Sequence, residues 1–104
     1  MNSITVSELK DIIDNQEDFQ LIDVREIHEY ENANINGELI PLGEVPSRHD
    51  EIAKDKKVIV QCRSGARSGN AILFLEQNFG YTNLYNLEGG IMAWAREIDP
   101  SLDV

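Results

Sequence analysis

The chain has 104 residues, 41% of them hydrophobic, enough for one packed core and too few for two, so a single domain over residues 1–104 is expected. Nineteen acidic against nine basic residues leave a net charge of −10; the resulting field disfavours nucleic acid and anionic membrane surfaces, and neither is expected as a partner. No apolar run approaches membrane-spanning length and no leader pattern precedes the first helix, so a cytoplasmic location is expected, where the one cysteine forms no internal disulfide.

Thr5-Val6-Ser7-Glu8 has the form of a capping box, and Val6, Leu9 and Ile13 then fall on one face, which predicts a helix from about Val6 to Asp14. Leu21-Ile22-Asp23-Val24 is a short run rich in β-branched residues, as expected of a strand covered on both faces. Ile27 and Tyr30 indicate a short helix after it, the segment Asn32 to Leu42 is the least regular, and Val45, Pro46 and Ile52 indicate another short helix. Val58-Ile59-Val60-Gln61 repeats the pattern of a central strand. Beyond Arg67, Ala71, Ile72, Leu75 and Phe79 share a helical face, with Gly80 as its stop. Asn83 to Leu87 reads as one more strand. Gly89-Gly90 then breaks the chain before a helix in which Ile91, Trp94, Ala95 and Ile98 recur at helical spacing, and Pro100 ends it. Alternation of this kind, without repeats, argues for an α/β fold.

Chemistry concentrates in Cys62-Arg63-Ser64-Gly65-Ala66-Arg67-Ser68, where a buried strand stops at a cysteine and a short loop leads into a helix. Ligand sites in parallel sheets lie beyond the carboxyl ends of strands, and such a loop aims several N–H groups at one point. At its ordinary pKa of about 8.5 a thiol is only about 3% ionised at pH 7. The loop N–H groups, the helix dipole, Arg63 and Arg67 would all favour the thiolate. Gly65 permits the tight turn, and the small side chains of Ser64, Ala66 and Ser68 leave room for an anion. Against this stands the bland alternative of a cysteine that merely fills the core; two arginines and a helix start within a few residues weigh against it.

The segment C-R-S-G-A-R-S resembles the active-site loop of the rhodanese family. The run Leu21 to Glu26 with Glu29-Tyr30 resembles that family's early strand motif, and Asn83 to Trp94 (NLYNLEGGIMAW) its L-x-G-G-x-x-x-W signature. The resemblance covers nearly the whole chain. It implies a rhodanese-like fold with a five-stranded parallel sheet flanked by helices on both faces. It also implies a Cys62 that takes sulfane sulfur from a donor such as thiosulfate and passes it to cyanide or a thiol, a protein thiol included, without metal or organic cofactor. Where the family usually reads G-H-I-x-G-A before I-P, this chain has Ala33-Asn34-Ile35-Asn36-Gly37-Glu38 and then Ile40-Pro41; the change bears on local geometry or partner contact rather than on reaction type.

Two other functions share this kind of fold. Cysteine phosphatases carry C-x5-R, whose larger ring encloses a tetrahedral phosphate, whereas this chain has C-x4-R. The shorter loop suits sulfur, and thiosulfate expels sulfite without needing a general acid. A phosphatase or arsenate reductase is thus the weaker alternative, and a non-catalytic binding or redox-sensing module is the other. Oligomeric state and the physiological donor and acceptor are not legible.

Asp23 is expected at the carboxyl end of its strand near Cys62, where a bare carboxylate would oppose ionisation of the thiol. Arg25, Arg67 or loop N–H groups could neutralise it, which makes Asp23 and Arg25 supporting residues. His49 is expected to be a partly buried packing residue and His28 to be solvated, with neither in ligand spacing to Cys62. Trp94, Ile91 and Met92 read as a core stripe, and Asp11, Asp14, Glu17 and Asp18 as a solvated face.

Overall fold

The computed structural model describes residues 1–104. Five strands, β1 (Asn2–Ile4), β2 (Phe19–Asp23), β3 (Glu38–Leu39), β4 (Lys57–Gln61) and β5 (Leu84–Leu87), form one sheet in the order β1-β5-β4-β2-β3, with every pairing parallel. The helices are α1 (Val6–Asp14), α2 (Ile27–Asn32), α3 (Val45–Arg48), α4 (Ala66–Phe79) and α5 (Gly90–Glu97). No helix is long and apolar enough to cross a membrane.

Alternation along the strands divides the core. Ile22, Val58, Val60 and Leu84 join Val45, Ala71, Ile72 and Leu75 on the side of α3 and α4. Leu21, Ile59 and Leu87 join Val6, Leu9, Ile12, Ala93 and Trp94 on the side of α1 and α5. Both faces of β4 are thereby covered, which is why Val58 to Val60 read as a continuous apolar run. Cys62 continues the alternation onto the α4 side.

The predicted elements are present with small shifts. Thr5 caps α1, its hydroxyl accepting from the Glu8 N–H at 3.1 Å while the Glu8 carboxylate accepts from the Thr5 N–H at 2.9 Å. Its buried face is Val6, Leu9 and Ile12, not Ile13, which is 39% exposed. Both isoleucines suit helical spacing from Leu9, and only the direction from which β1 and α5 approach selects Ile12. Met92 likewise leaves the expected stripe: α5 buries Ile91 and Trp94 and turns Met92 to solvent. His49 packs as expected, stacked on Phe79 with ring centroids 3.7 Å apart. In the segment read as irregular, Asn36 adopts φ 67°, Tyr30 Oη donates to the Gly37 carbonyl at 2.7 Å, and Ile40 is fully buried. These contacts carry the chain through β3 without the family's usual residues.

Candidate active site

Beyond the carboxyl end of β4 the chain folds into a cradle. Cys62 is 1% exposed and lies at its floor, while Arg63, Ser64 and Ala66 form an exposed rim. Gly65 occupies φ 108°, a conformation that a side chain would strain, and this bend brings its N–H to 3.1 Å from Cys62 Sγ. Because α4 begins at Ala66, the first N–H groups of the helix have no partners within it and remain available to the sulfur. Ser68 Oγ lies 3.4 Å from the sulfur and 2.6 Å from Asn86 Oδ1, and Asn86 Nδ2 donates to the Gly65 carbonyl at 3.1 Å.

Burial of Cys62 opposes ionisation. Hydrogen bonding at Ser68, and with the N–H groups of Gly65 and Ser64, outweighs it, and the thiol pKa falls below its ordinary value. The arginines expected to lower it are not among the chief causes; the loop's own hydrogen-bond donors do the work.

The cradle is closed from behind by α5. The first-turn N–H groups of Ile91 and Met92 donate to the carbonyls of Cys62 and Arg63 at 2.9 and 3.2 Å. With those oxygens engaged on α5, the peptide N–H groups are left for the sulfur. Gly90 makes this approach possible: a Cβ there would overlap the Cys62 carbonyl and lie 2.6 Å from that of Arg63.

The supporting charges pair differently from expectation. Asp23 is fully buried and held by Arg25 alone: Nε and Nη2 reach its two oxygens at 3.0 and 2.8 Å, and the Arg25 N–H adds a third bond at 3.0 Å. Arg25 Nη2 also donates to the Ala33 carbonyl at 2.8 Å, tying the irregular segment to the strand end. Arg67 does not pair with Asp23. It forms a two-pronged pair with Glu29 of α2, at 2.7 and 2.9 Å. The hydrogen bonds from Arg67 hold the Glu29 carboxyl down to about 2 against the opposing effect of its partial burial. Sequence reading missed Glu29 as a site residue because 38 positions separate it from Arg67, and only the packing of α2 against the loop joins them. It missed Asn86 for the same reason.

Arg63 has no side-chain partner. It borders a cleft of about 200 Å³ with Arg25, His28, Glu29 and Asn32. In an acidic molecule this places an unpaired cation beside the mouth of the cradle, where an anionic reactant would arrive. His28 is exposed as expected.

A family model described as rhodanese-like domain matches residues 5–97. A sulfurtransferase of Allochromatium vinosum is 41% identical over 97 residues, covering 92% of this chain and 90% of that protein. Among solved structures, a rhodanese-like domain protein from Staphylococcus aureus superposes with a TM-score of 0.83 at 32% identity, covering 100% of this chain and 98% of the other. A rhodanese-related protein from Thermoplasma volcanium gives 0.80 at 34% identity, covering 93% of each.

Proposed function

This chain belongs to the rhodanese-like domain family, and from that premise we propose that it is a thiosulfate-type sulfurtransferase that carries sulfane sulfur as a persulfide on Cys62. The observation that carries this reading is the buried Sγ at the floor of a short loop, with the Gly65 N–H 3.1 Å away and the pKa of its thiol lowered. The similarity to a protein named as a sulfurtransferase supports the same class of reaction.

In the first half-reaction the Cys62 thiolate attacks the outer sulfur of thiosulfate. A Cys62 S–S bond forms, the S–S bond of the donor breaks, and sulfite leaves with the electron pair. The terminal persulfide sulfur keeps the negative charge and takes up the N–H groups that held the thiolate. Arg63, unpaired at the rim, attracts the sulfonate end of the donor. Ser64, Gly65, Ala66 and Ser68 shape the cradle, while Arg67 fixes α4 to α2 through Glu29. Asp23 and Arg25 support the neighbouring strand end. In the second half-reaction cyanide or a thiol, small or on a protein, attacks the terminal sulfur, and Cys62 returns as thiolate.

One domain over residues 1–104 suffices for this cycle. A single free thiol suits the reducing cytoplasm, where we place the activity. Incubation with thiosulfate, without acceptor, should raise the intact mass by one sulfur atom, and cyanide should remove it. Cys62→Ser should show no adduct, should lose at least about a thousandfold in thiosulfate:cyanide activity and should melt normally. An unmodified wild-type protein, or a folded Cys62→Ser variant with appreciable activity, would overturn the proposal.

A further inference from the structure

Ser68 has one hydroxyl proton and two neighbours that compete for it. Asn86 Oδ1 is a pure acceptor and lies 2.6 Å from Ser68 Oγ; two oxygens that close require a proton between them. The amide cannot be reversed without setting its oxygen against the Gly65 carbonyl, which its Nδ2 now contacts at 3.1 Å. The proton of Ser68 therefore points at Asn86, and the lone pairs of Ser68 face Cys62 Sγ at 3.4 Å. A thiol satisfies this arrangement by donating S–H to Ser68. A thiolate does not, and Ser68 can serve it only by turning its proton away from Asn86.

We propose that Asn86 is a positioning residue for Cys62, acting through Ser68: by holding the hydroxyl proton it stabilises the resting thiol and leaves the thiolate, once formed, less hydrogen-bonded and more nucleophilic. This rests on Cys62 being the nucleophile. Asn86 does not hold the cradle single-handed, because the Gly65 carbonyl also accepts from the Gly69 N–H at 3.1 Å. Removing the Asn86 amide thus frees Ser68 without releasing the loop. The consequence runs against intuition, since loss of a buried polar contact at an active site should then make its cysteine more acidic.

The test is a pH titration of the thiolate ultraviolet absorbance, with Cys62→Ser as blank. In Asn86→Ala the acid dissociation constant of Cys62 should rise about fivefold, the worth of one ordinary hydrogen bond. At pH values where the thiol is fully ionised, alkylation by iodoacetamide should slow about twofold, because nucleophilicity falls with basicity. In Ser68→Ala the thiol loses the acceptor that Asn86 orients, so the dissociation constant should rise here too, and in the double variant Asn86→Ala should have no further effect. Asn86→Val, which keeps the bulk of a strand residue, should reproduce the sign if the alanine variant is unstable. A merely structural Asn86 would give the opposite: lower melting temperature with unchanged or weaker acidity, or a shift that survives in the Ser68→Ala background. Either outcome overturns the proposal. The titration reads Cys62 itself, so a protein that titrates as stated yet takes no sulfur from thiosulfate would overturn the sulfur-transfer reading and leave this one intact.

Discussion

After β4 the chain turns its own backbone inward, so that N–H groups surround one sulfur and the side chains contribute little beyond the Ser68 hydroxyl. One strand away, after β2, it does the reverse: side chains of Asp23, Arg25, Tyr30 and Asn34 satisfy backbone and each other. The two segments leave neighbouring parallel strands at the same level, with Asp23 and Gln61 paired in register. The contrast separates two tasks. A reactive anion is best held by donors that cannot rearrange or titrate, whereas an irregular connection is best held by side chains that can reach. Glu29 and Arg67 join the two segments.

The sharpest way to break this contrast is to remove Arg25. Its partner Asp23 has no exposed surface, so Arg25→Leu leaves a buried carboxylate unpaired, and such losses cost about 3–5 kcal/mol. Denaturant unfolding should show a loss of that size, with the irregular segment from Ala33 onward freed first. Arg25→Lys should recover little of it, because one ammonium cannot reproduce the two-pronged contact.

A smaller effect is expected at the link between the segments. Glu29 and Arg67 are partly exposed, so solvent screening reduces their contribution to about 1 kcal/mol. Because the Glu29 pKa is depressed in the folded protein to about 2, this stabilisation is complete above the ordinary carboxylate pKa of about 4.5 and is lost as pH falls toward 2. Glu29→Gln should be less stable than wild type at pH 7 by about that amount, with the gap closing on acidification. Arg67→Ala should match it, and the double variant should add little. Full additivity would show that the link carries no coupling between the two segments.

The smallest effect on stability, and the cleanest on function, belongs to Arg63. With no partner to lose, Arg63→Ala should leave the melting temperature within the range of ordinary surface changes, about 0.5 kcal/mol. It should raise the KM for thiosulfate several-fold with little change in kcat, as expected for an attraction felt equally by the bound donor and the transition state. A fall in kcat at constant KM would place the guanidinium on the reacting sulfur rather than at the rim.

Legibility in the sequence follows the range of the forces involved. β2, β4 and the helices α1, α4 and α5 announce themselves because each carries an apolar period or a cap within a few residues. The Cys62 loop does so because donors, glycine and cysteine are contiguous. β1 and β3 do not: Asn2–Ile4 and Glu38–Leu39 are three and two residues long, and only pairing with β5 and β2 makes them strands. Arg67 illustrates the same limit among charges. The sequence offers it Asp23 as readily as Glu29, both distant along the chain, and in the folded protein Arg25 occupies both oxygens of Asp23.

The seating of α5 on the loop has a consequence for motion. Since the amide hydrogens of Ile91 and Met92 are bonded to the carbonyls of Cys62 and Arg63, the last helix cannot lift away without releasing the backbone that flanks the Cys62 sulfur. Helix and loop therefore open together, as one cooperative unit. The protection of those two amides against solvent exchange is a direct gauge of how often the sulfur loses its surroundings.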